Sequence, residues 1–210
     1  MSVSNMSGSA GVYEDPPLTL TVGQSAPSQA DTVGSLHVST QGRKQTYSSC
    51  FWAFTPVISL NSPCVAIKGS ATKTVRITRV RISWSCTTGS SVPSPISFQR
   101  YTALSGGTTN NPGSAIANDS ANAAPTAVAV QYSAVPTTST KAGGQHVTSR
   151  ISWITSGASV NATPTNIDWV FGQAGGQALV LRGVNEWFGI LLGSIGTNPI
   201  MDVCIEWTEE

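Results

Sequence analysis

Thr74-Val75-Arg76-Ile77-Thr78-Arg79-Val80-Arg81-Ile82-Ser83-Trp84 is the stretch on which the fold turns. Val75 and Ile77 alternate with polar neighbours in one phase; Val80, Ile82 and Trp84 alternate in the other. Alternation at period 2 marks a strand with one buried face. The phase slips by one residue near Thr78-Arg79, which predicts a β-bulge or a strand crossing between packing surfaces. Simple period 2 puts Arg79 and Arg81 on the face of Val75 and Ile77, with Arg76 pointing the other way. Guanidinium forks match carboxylates bidentately, so these arginines, and Arg182, are expected to pair with Asp or Glu of neighbouring strands or subunits rather than with phosphates.

Working outward, short apolar segments recur. Phe51–Leu60 is bulky and apolar, and Cys64–Ile67 follows Pro63 as a strand. Ile96, Phe98 and Tyr101 mark the next, bounded by Pro93 and Pro95. Ala127–Tyr132, Val147–Ile154, Ile167–Phe171, Ala178–Leu181, Trp187–Leu192 and Met201–Trp207 complete the series. Thr137–Gly144 reads as a polar turn, and Gly106–Ala124 as a long loop of Gly, Asn, Ser, Ala and Pro. Loops of that length inside a compact domain are often functional. No segment sustains a 3.6-residue period. Roughly eight to ten short strands with turn signals between them read as a sandwich or barrel. The expected class is all-β: a jelly-roll-like antiparallel β-sandwich over residues 46–210. Residues 1–45 read as an extended N-terminal arm. It carries two weak alternating stretches, Leu18-Leu20-Val22 after Pro16-Pro17, and Leu36-Val38. The arm holds too few large apolar residues for a core of its own.

Composition narrows the classes. Only 10% of the 210 residues are charged, the net charge is +1, and about a quarter are Ser or Thr. Strands use Thr, Ser and Val on their wet faces where helices use Glu, Lys and Arg. A near-neutral chain lacks the basic footprint of a nucleic-acid binder. A hydrophobic share of 40% argues against disorder along the whole chain. Low net charge favours association, so much of the surface is expected to be covered by partners. The first residues have no basic n-region and no apolar core, so no signal peptide is expected. No run of 18 apolar residues marks a membrane span. Synthesis in a cytoplasm favours reduced thiols, and Cys50, Cys64, Cys86 and Cys204 form no C-x-x-C pair. They are expected to be buried free thiols.

The sequence offers little catalytic chemistry. There is no G-x-S-x-G elbow, and His37 and His146 read as turn or surface residues. Asp15, Asp31, Asp119 and Asp168 are scattered singly, and no phosphate-cradling glycine loop exists. No metal or cofactor is expected. Glycoside hydrolysis needs paired carboxylates, and Glu186 and Glu206 are the body candidates. Their neighbours Trp187 and Trp207 read first as core or interface residues. The sequons at Asn5, Asn118 and Asn161 are what this Ser/Thr content gives by chance.

Three segments together carry a resemblance. They are Leu18-Thr-Leu-Thr-Val-Gly-Gln-Ser-Ala-Pro with Gly34-Ser-Leu-His-Val; Lys73-Thr-Val-Arg-Ile-Thr-Arg-Val-Arg-Ile-Ser; and Leu179-Val-Leu-Arg-Gly-Val-Asn-Glu-Trp-Phe-Gly-Ile-Leu-Leu-Gly, ending in Met201-Asp-Val-Cys-Ile-Glu-Trp-Thr-Glu-Glu. This arrangement resembles small virion structural proteins of tailed bacteriophages, a group that includes jelly-roll head decoration, or cement, proteins. The resemblance covers about a third of the chain. It implies a non-enzymatic protein on the capsid exterior that binds the major capsid protein, together with self-association, as a trimer by analogy. Neither nucleic acid nor membrane is among the expected partners. The expected contact residues are Pro16, Leu18, Leu20, Val22, Leu36 and Val38 of the arm, and Asn110 and Asn111 of the long loop. Two other roles fit the same sequence. One is a tail, neck or fibre component. The other is a carbohydrate-binding sandwich with Trp153, Trp169, Trp187 or Trp207 as stacking platforms and Gly106–Ala124 as a rim.

Overall fold

The computed structural model describes residues 29–30, 36–37, 44–88, 93–110, 115–144, 147–152, 165–172, 178–193 and 197–210. The chain divides into two compact units, 1–43 and 44–210. In the first, β1 (Gln29–Ala30) pairs antiparallel with β2 (Leu36–His37). The Leu18–Val22 stretch lies outside the described residues.

The second unit is all-β. Its strands are β3 (Gln45–Phe54), β4 (Val65–Lys68), β5 (Thr74–Thr88), β6 (Pro93–Ser105), β7 (Thr108–Asn110), β8 (Ile116–Ala117), β9 (Val128–Ala134), β10 (Thr138–Lys141), β11 (Val147–Ser152), β12 (Thr165–Val170), β13 (Leu179–Arg182), β14 (Trp187–Leu192) and β15 (Thr197–Glu209). They form two antiparallel sheets. One runs β12-β5-β15-β3-β8, with β13 beside β5; the other runs β10-β6-β14-β4-β9-β7, with β11 beside β6. Four pairings are nested: β3 with β15, β4 with β14, β5 with β12 and β13, and β6 with β10 and β11. A long hairpin folded over itself gives this pattern, and it is the jelly-roll arrangement. Segment 106–134 is an addition to that frame. It contributes β7 and β9 to one sheet and β8 to the other.

The phase slip lies where the alternation puts it. Glu206 of β15 faces Arg79 and Trp207 faces Ile77, so Thr78 is left over as a bulge. Thr78 Oγ1 fills the gap by donating to the Glu206 carbonyl (3.1 Å). The other edge of β5 also changes partner there, from β13 at 74–77 to β12 at 79–84. Val75 and Ile77 before the bulge, and Val80, Ile82 and Trp84 after it, are all buried. The bulge corrects the expected placing of the arginines. Arg79 and Arg81 do not share the face of Val75 and Ile77; they lie with Arg76 on the outer, ion-paired face. An inserted residue reverses the sides of everything beyond it.

Two further readings change. Thr137–Gly144 is not only a turn, because β10 forms an edge strand against β6. Gly106–Ala124 is not a structureless loop, because it holds β7 and β8. Both segments are polar because they lie at sheet edges, where few side chains face a core and an apolar alternation is not needed.

The core lies between the sheets. Trp207, Tyr47, Phe51, Phe98 and Phe188 are fully buried there. Phe98 packs edge-on to Phe188 and Trp169, with centroids at 5.4 and 4.6 Å. A second cluster of Ala66, Tyr101, Leu104, Tyr132 and Leu191 lies on the far face of the seven-stranded sheet. That face is tied to the β3–β4 connection, whose Val57 packs on the cluster. Tyr101 Oη donates to the Asn61 carbonyl (3.1 Å), and Lys141 Nζ donates to the Leu60 carbonyl (3.0 Å). Gly189 leaves room for the approach: a Cβ there would stand 2.7 Å from Pro63 and 2.9 Å from Tyr101.

Candidate binding cleft

The outer face of the six-stranded sheet collects charges and pairs them. Arg79 forms a two-pronged contact with Asp168 across β5–β12. Arg81 meets Glu206 at 2.9 Å, and Glu210 accepts from both Arg76 (3.0 Å) and Lys44. The hydrogen bonds from Arg79 hold the Asp168 carboxyl below its ordinary value. Those from Lys44, then Arg76, do the same for Glu210. The expectation of carboxylate-paired arginines holds for Arg76, Arg79 and Arg81.

Glu209, at the end of β15, has a fully buried side chain. It accepts from Thr126 N (3.0 Å), Ala127 N (2.9 Å), Thr126 Oγ1 (2.7 Å) and Trp207 Nε1 (3.1 Å). Burial pushes its carboxyl up, but these donors outweigh burial and hold it below its ordinary value. Glu209 therefore fastens the segment before β9 to the last strand.

Two of the four cysteines depart from expectation. Cys50 and Cys204 face each other across β3–β15, with Cα atoms 4.1 Å apart, and form a disulfide. Sequence spacing hid this, because 154 residues separate partners that the nested pairing makes neighbours. Cys64 is free and buried, and burial pushes its thiol up to about 12. Such a thiol stays protonated and unreactive.

Catalytic groups are not gathered. Glu186 is engaged by Arg100 (2.7 Å) and by the Arg182 backbone N–H (2.8 Å), while Glu206 is engaged by Arg81. The described residues contain no cluster of three or more His, Cys, Asp or Glu. His146 and Trp153 lie outside the described residues. Of the other suggested platforms, Trp207 is wholly buried, Trp169 packs on Phe98, and Trp187 is half-buried with Lys68 Nζ 5.3 Å from its ring.

Among the described residues, the most exposed large hydrophobic side chain is Trp52, at 74%. Phe51 faces Val203 and Phe54 faces Met201, so Trp52 and Ala53 together oppose Asp202. Two residues against one make a bulge, and the bulge turns Trp52 away from the core. Ala53 takes a positive φ of 45°, and its N–H donates to Asp202 Oδ1 (2.6 Å). Ser83 Oγ donates to the other oxygen of the same carboxylate (3.0 Å). Non-glycine residues in this region are strained and persist only where neighbours fix them.

Trp52 stands at a cleft of about 790 Å³ formed by residues 52–57, Thr109, Asn110, Gln131 and Ser133. The cleft lies where the β7–β9 addition meets the end of β3. Asn110 faces Gln131 across β7–β9, so the two carboxamides share one side of the sheet. Gln131 is only 4% exposed, and its amide makes no hydrogen bond among the described residues. Among the described residues, no Lys, Arg, Asp or Glu lines the cleft.

Of the expected contact residues, Asn110 lines this cleft. Leu36 lies in β2, in the other unit. Pro16, Leu18, Leu20, Val22, Val38 and Asn111 lie outside the described residues. Trp52 and Gln131 were not singled out by sequence. The signal was the spacing of Phe51 and Phe54, three apart rather than two, which is the same slip as at Thr78. No protein-family model, no curated protein and no solved structure matches the chain.

Proposed function

We propose that the chain is a non-enzymatic virion structural protein, a capsid decoration or cement protein that binds the major capsid protein shell and stabilises it. One observation carries this reading: the six-stranded sheet pairs its outer charges within the chain, and much of the remaining surface is neutral. Arg76, Arg79, Arg81 and Lys44 have carboxylate partners there, and Arg100 of the other sheet pairs with Glu186. Exposed apolar side chains meanwhile include Ile58, Leu60, Ile116, Val128 and Val135. Burying hydroxyl and apolar surface against a neighbour avoids the desolvation penalty that a charge carries. The resemblance carried by the arm, the Lys73–Ser83 segment and the C-terminal strands supports the same reading.

The work of such a protein is binding free energy distributed over many contacts, not catalysis. Self-association, as a trimer by analogy, fits closed point-group assembly. The test is the thermal disruption of particles made with and without the protein. Lower disruption temperature in its absence, restored by adding the purified chain, supports the reading. Equal disruption temperatures overturn it. Labelling intact particles then separates a head position from a tail, neck or fibre position. Deleting residues 1–40 is expected to leave a folded sandwich that no longer joins particles, and full incorporation would sink the role of the arm.

A further inference from the structure

We propose that the cleft lined by Trp52, Asn110 and Gln131 is a binding site for a neutral saccharide. Three independent features of the cleft point at a ligand.

The first is the indole. Trp52 has the largest exposure of the described large hydrophobic residues, at 74%. It is presented by a bulge that holds Ala53 at a φ of 45° and is anchored through Asp202 to Ser83. Strain of this kind gathers at binding sites, where the geometry it fixes is used. The frame gains no core contact from an outward Trp52, so presenting a rigid, flat apolar face is what the arrangement achieves.

The second is Gln131. Its side chain is almost wholly buried, lines the cleft and has no hydrogen-bond partner among the described residues. Its polar atoms are not sealed from the cleft, so an amide without a protein partner there is open to hydrogen bonding from outside the chain. The cleft lets a bound molecule supply one. Asn110 stands directly opposite on β7 and doubles the arrangement.

The third is the absence of charge. Each carboxamide offers both a donor and an acceptor, which suits a hydroxyl, itself donor and acceptor. Ser133 and Thr109 add hydroxyls, and among the described residues no ionisable side chain lines the cleft. A phosphate or carboxylate would find no cation there among the described residues. A flat hydrocarbon would leave both carboxamides unpaired. A neutral pyranose fits both demands: its C–H face stacks on the indole, and its hydroxyl rim reaches Asn110 and Gln131. At about 790 Å³ the cleft lies within the range of small-molecule sites.

The experiment is an NMR titration of the full chain, read at the Trp52 indole N–H. That resonance is assigned by its loss in Trp52→Phe. The probes are trisaccharides of glucose, galactose, mannose and N-acetylglucosamine, with sialyllactose and trigalacturonate as charged counterparts. At least one neutral trisaccharide is expected to shift the resonance saturably at millimolar concentration, and the charged probes are not. For variants at Trp52 the binding is read by isothermal calorimetry, and Trp52→Ala is expected to weaken it about tenfold or more, with Trp52→Phe retaining part of it. Asn110→Ala, at an exposed side chain, is expected to weaken binding while leaving the fold intact. It serves as the second variant should Trp52→Ala misfold. Failure of every neutral probe, wild-type affinity in both Trp52→Ala and Asn110→Ala, or equal binding of the charged probes overturns the proposal.

Discussion

The ladder face of the jelly roll and the Trp52 cleft treat polar groups in opposite ways. On the ladder face, cations and carboxylates meet across β12, β5 and β15, and on the inner side of the same sheet Glu209 is surrounded by donors. In the cleft, Gln131 is unpartnered, Trp52 is bare, and Ala53 is strained. Groups paired within the chain hold a fold together, and groups that reach a cleft without a protein partner are open to a ligand. The difference follows the topology. The ladder belongs to the nested frame, and the cleft to the seam where an added hairpin meets it.

If that division is right, substitutions on the frame lower stability, and substitutions in the cleft lower binding. Glu209→Ala strands four donors in the interior, and we expect the largest loss, about 3–5 kcal/mol by denaturant unfolding. Cys50→Ser opens a cross-link between residues 154 apart, with an expected loss of about 2–4 kcal/mol, and reduction of the wild type should match it. Gly189→Ala drives a methyl against Pro63 and Tyr101 and should cost about 1–3 kcal/mol. Arg81→Ala removes one half-exposed ion pair and is expected to shift stability by about 0.2–1 kcal/mol, shrinking at high salt. Trp52→Ala removes an exposed side chain and should stay within about 0.5 kcal/mol of the wild type. A large loss at Trp52, or none at Glu209, would erase the distinction between the two regions.

Acid sharpens the same contrast. Asp168, Glu209 and Glu210 all have carboxyls held below their ordinary values in the folded chain. The unfolded chain therefore takes up protons first as pH falls. Their contribution is complete above the ordinary carboxyl range and is lost as pH drops through the lowered folded values. Glu209→Gln should flatten that acid limb, while Asn110→Ala should leave it unchanged. Melting temperature measured against pH distinguishes them.

Much of the frame was legible because burial writes a period. Val75, Ile77, Val80, Ile82 and Trp84 gave both the strand and its bulge. The same bulge then overturned the simple face assignment of Arg79 and Arg81, because one inserted residue changes the parity of all that follow. Edge strands such as β7 and β10 were read as loop or turn, since polar edges carry no apolar alternation. Pairings between distant strands left no local trace, so Cys50 and Cys204 were expected to be separate thiols. The cleft escaped for the same reason: Trp52 and Gln131 are far apart in sequence and meet only through the addition of β7 and β9.

The central claim is that neighbours, rather than solvent, cover the neutral surface of this sandwich while its charges are paired internally. Hydrogen–deuterium exchange on the free chain and on the chain bound to particles tests it most directly. Protection on binding is expected around Ile58–Leu60, Ile116 and Val128–Val135, with the ladder strands β5 and β15 exchanging alike in both states. Equal exchange everywhere, or protection confined to the ladder strands, would contradict it.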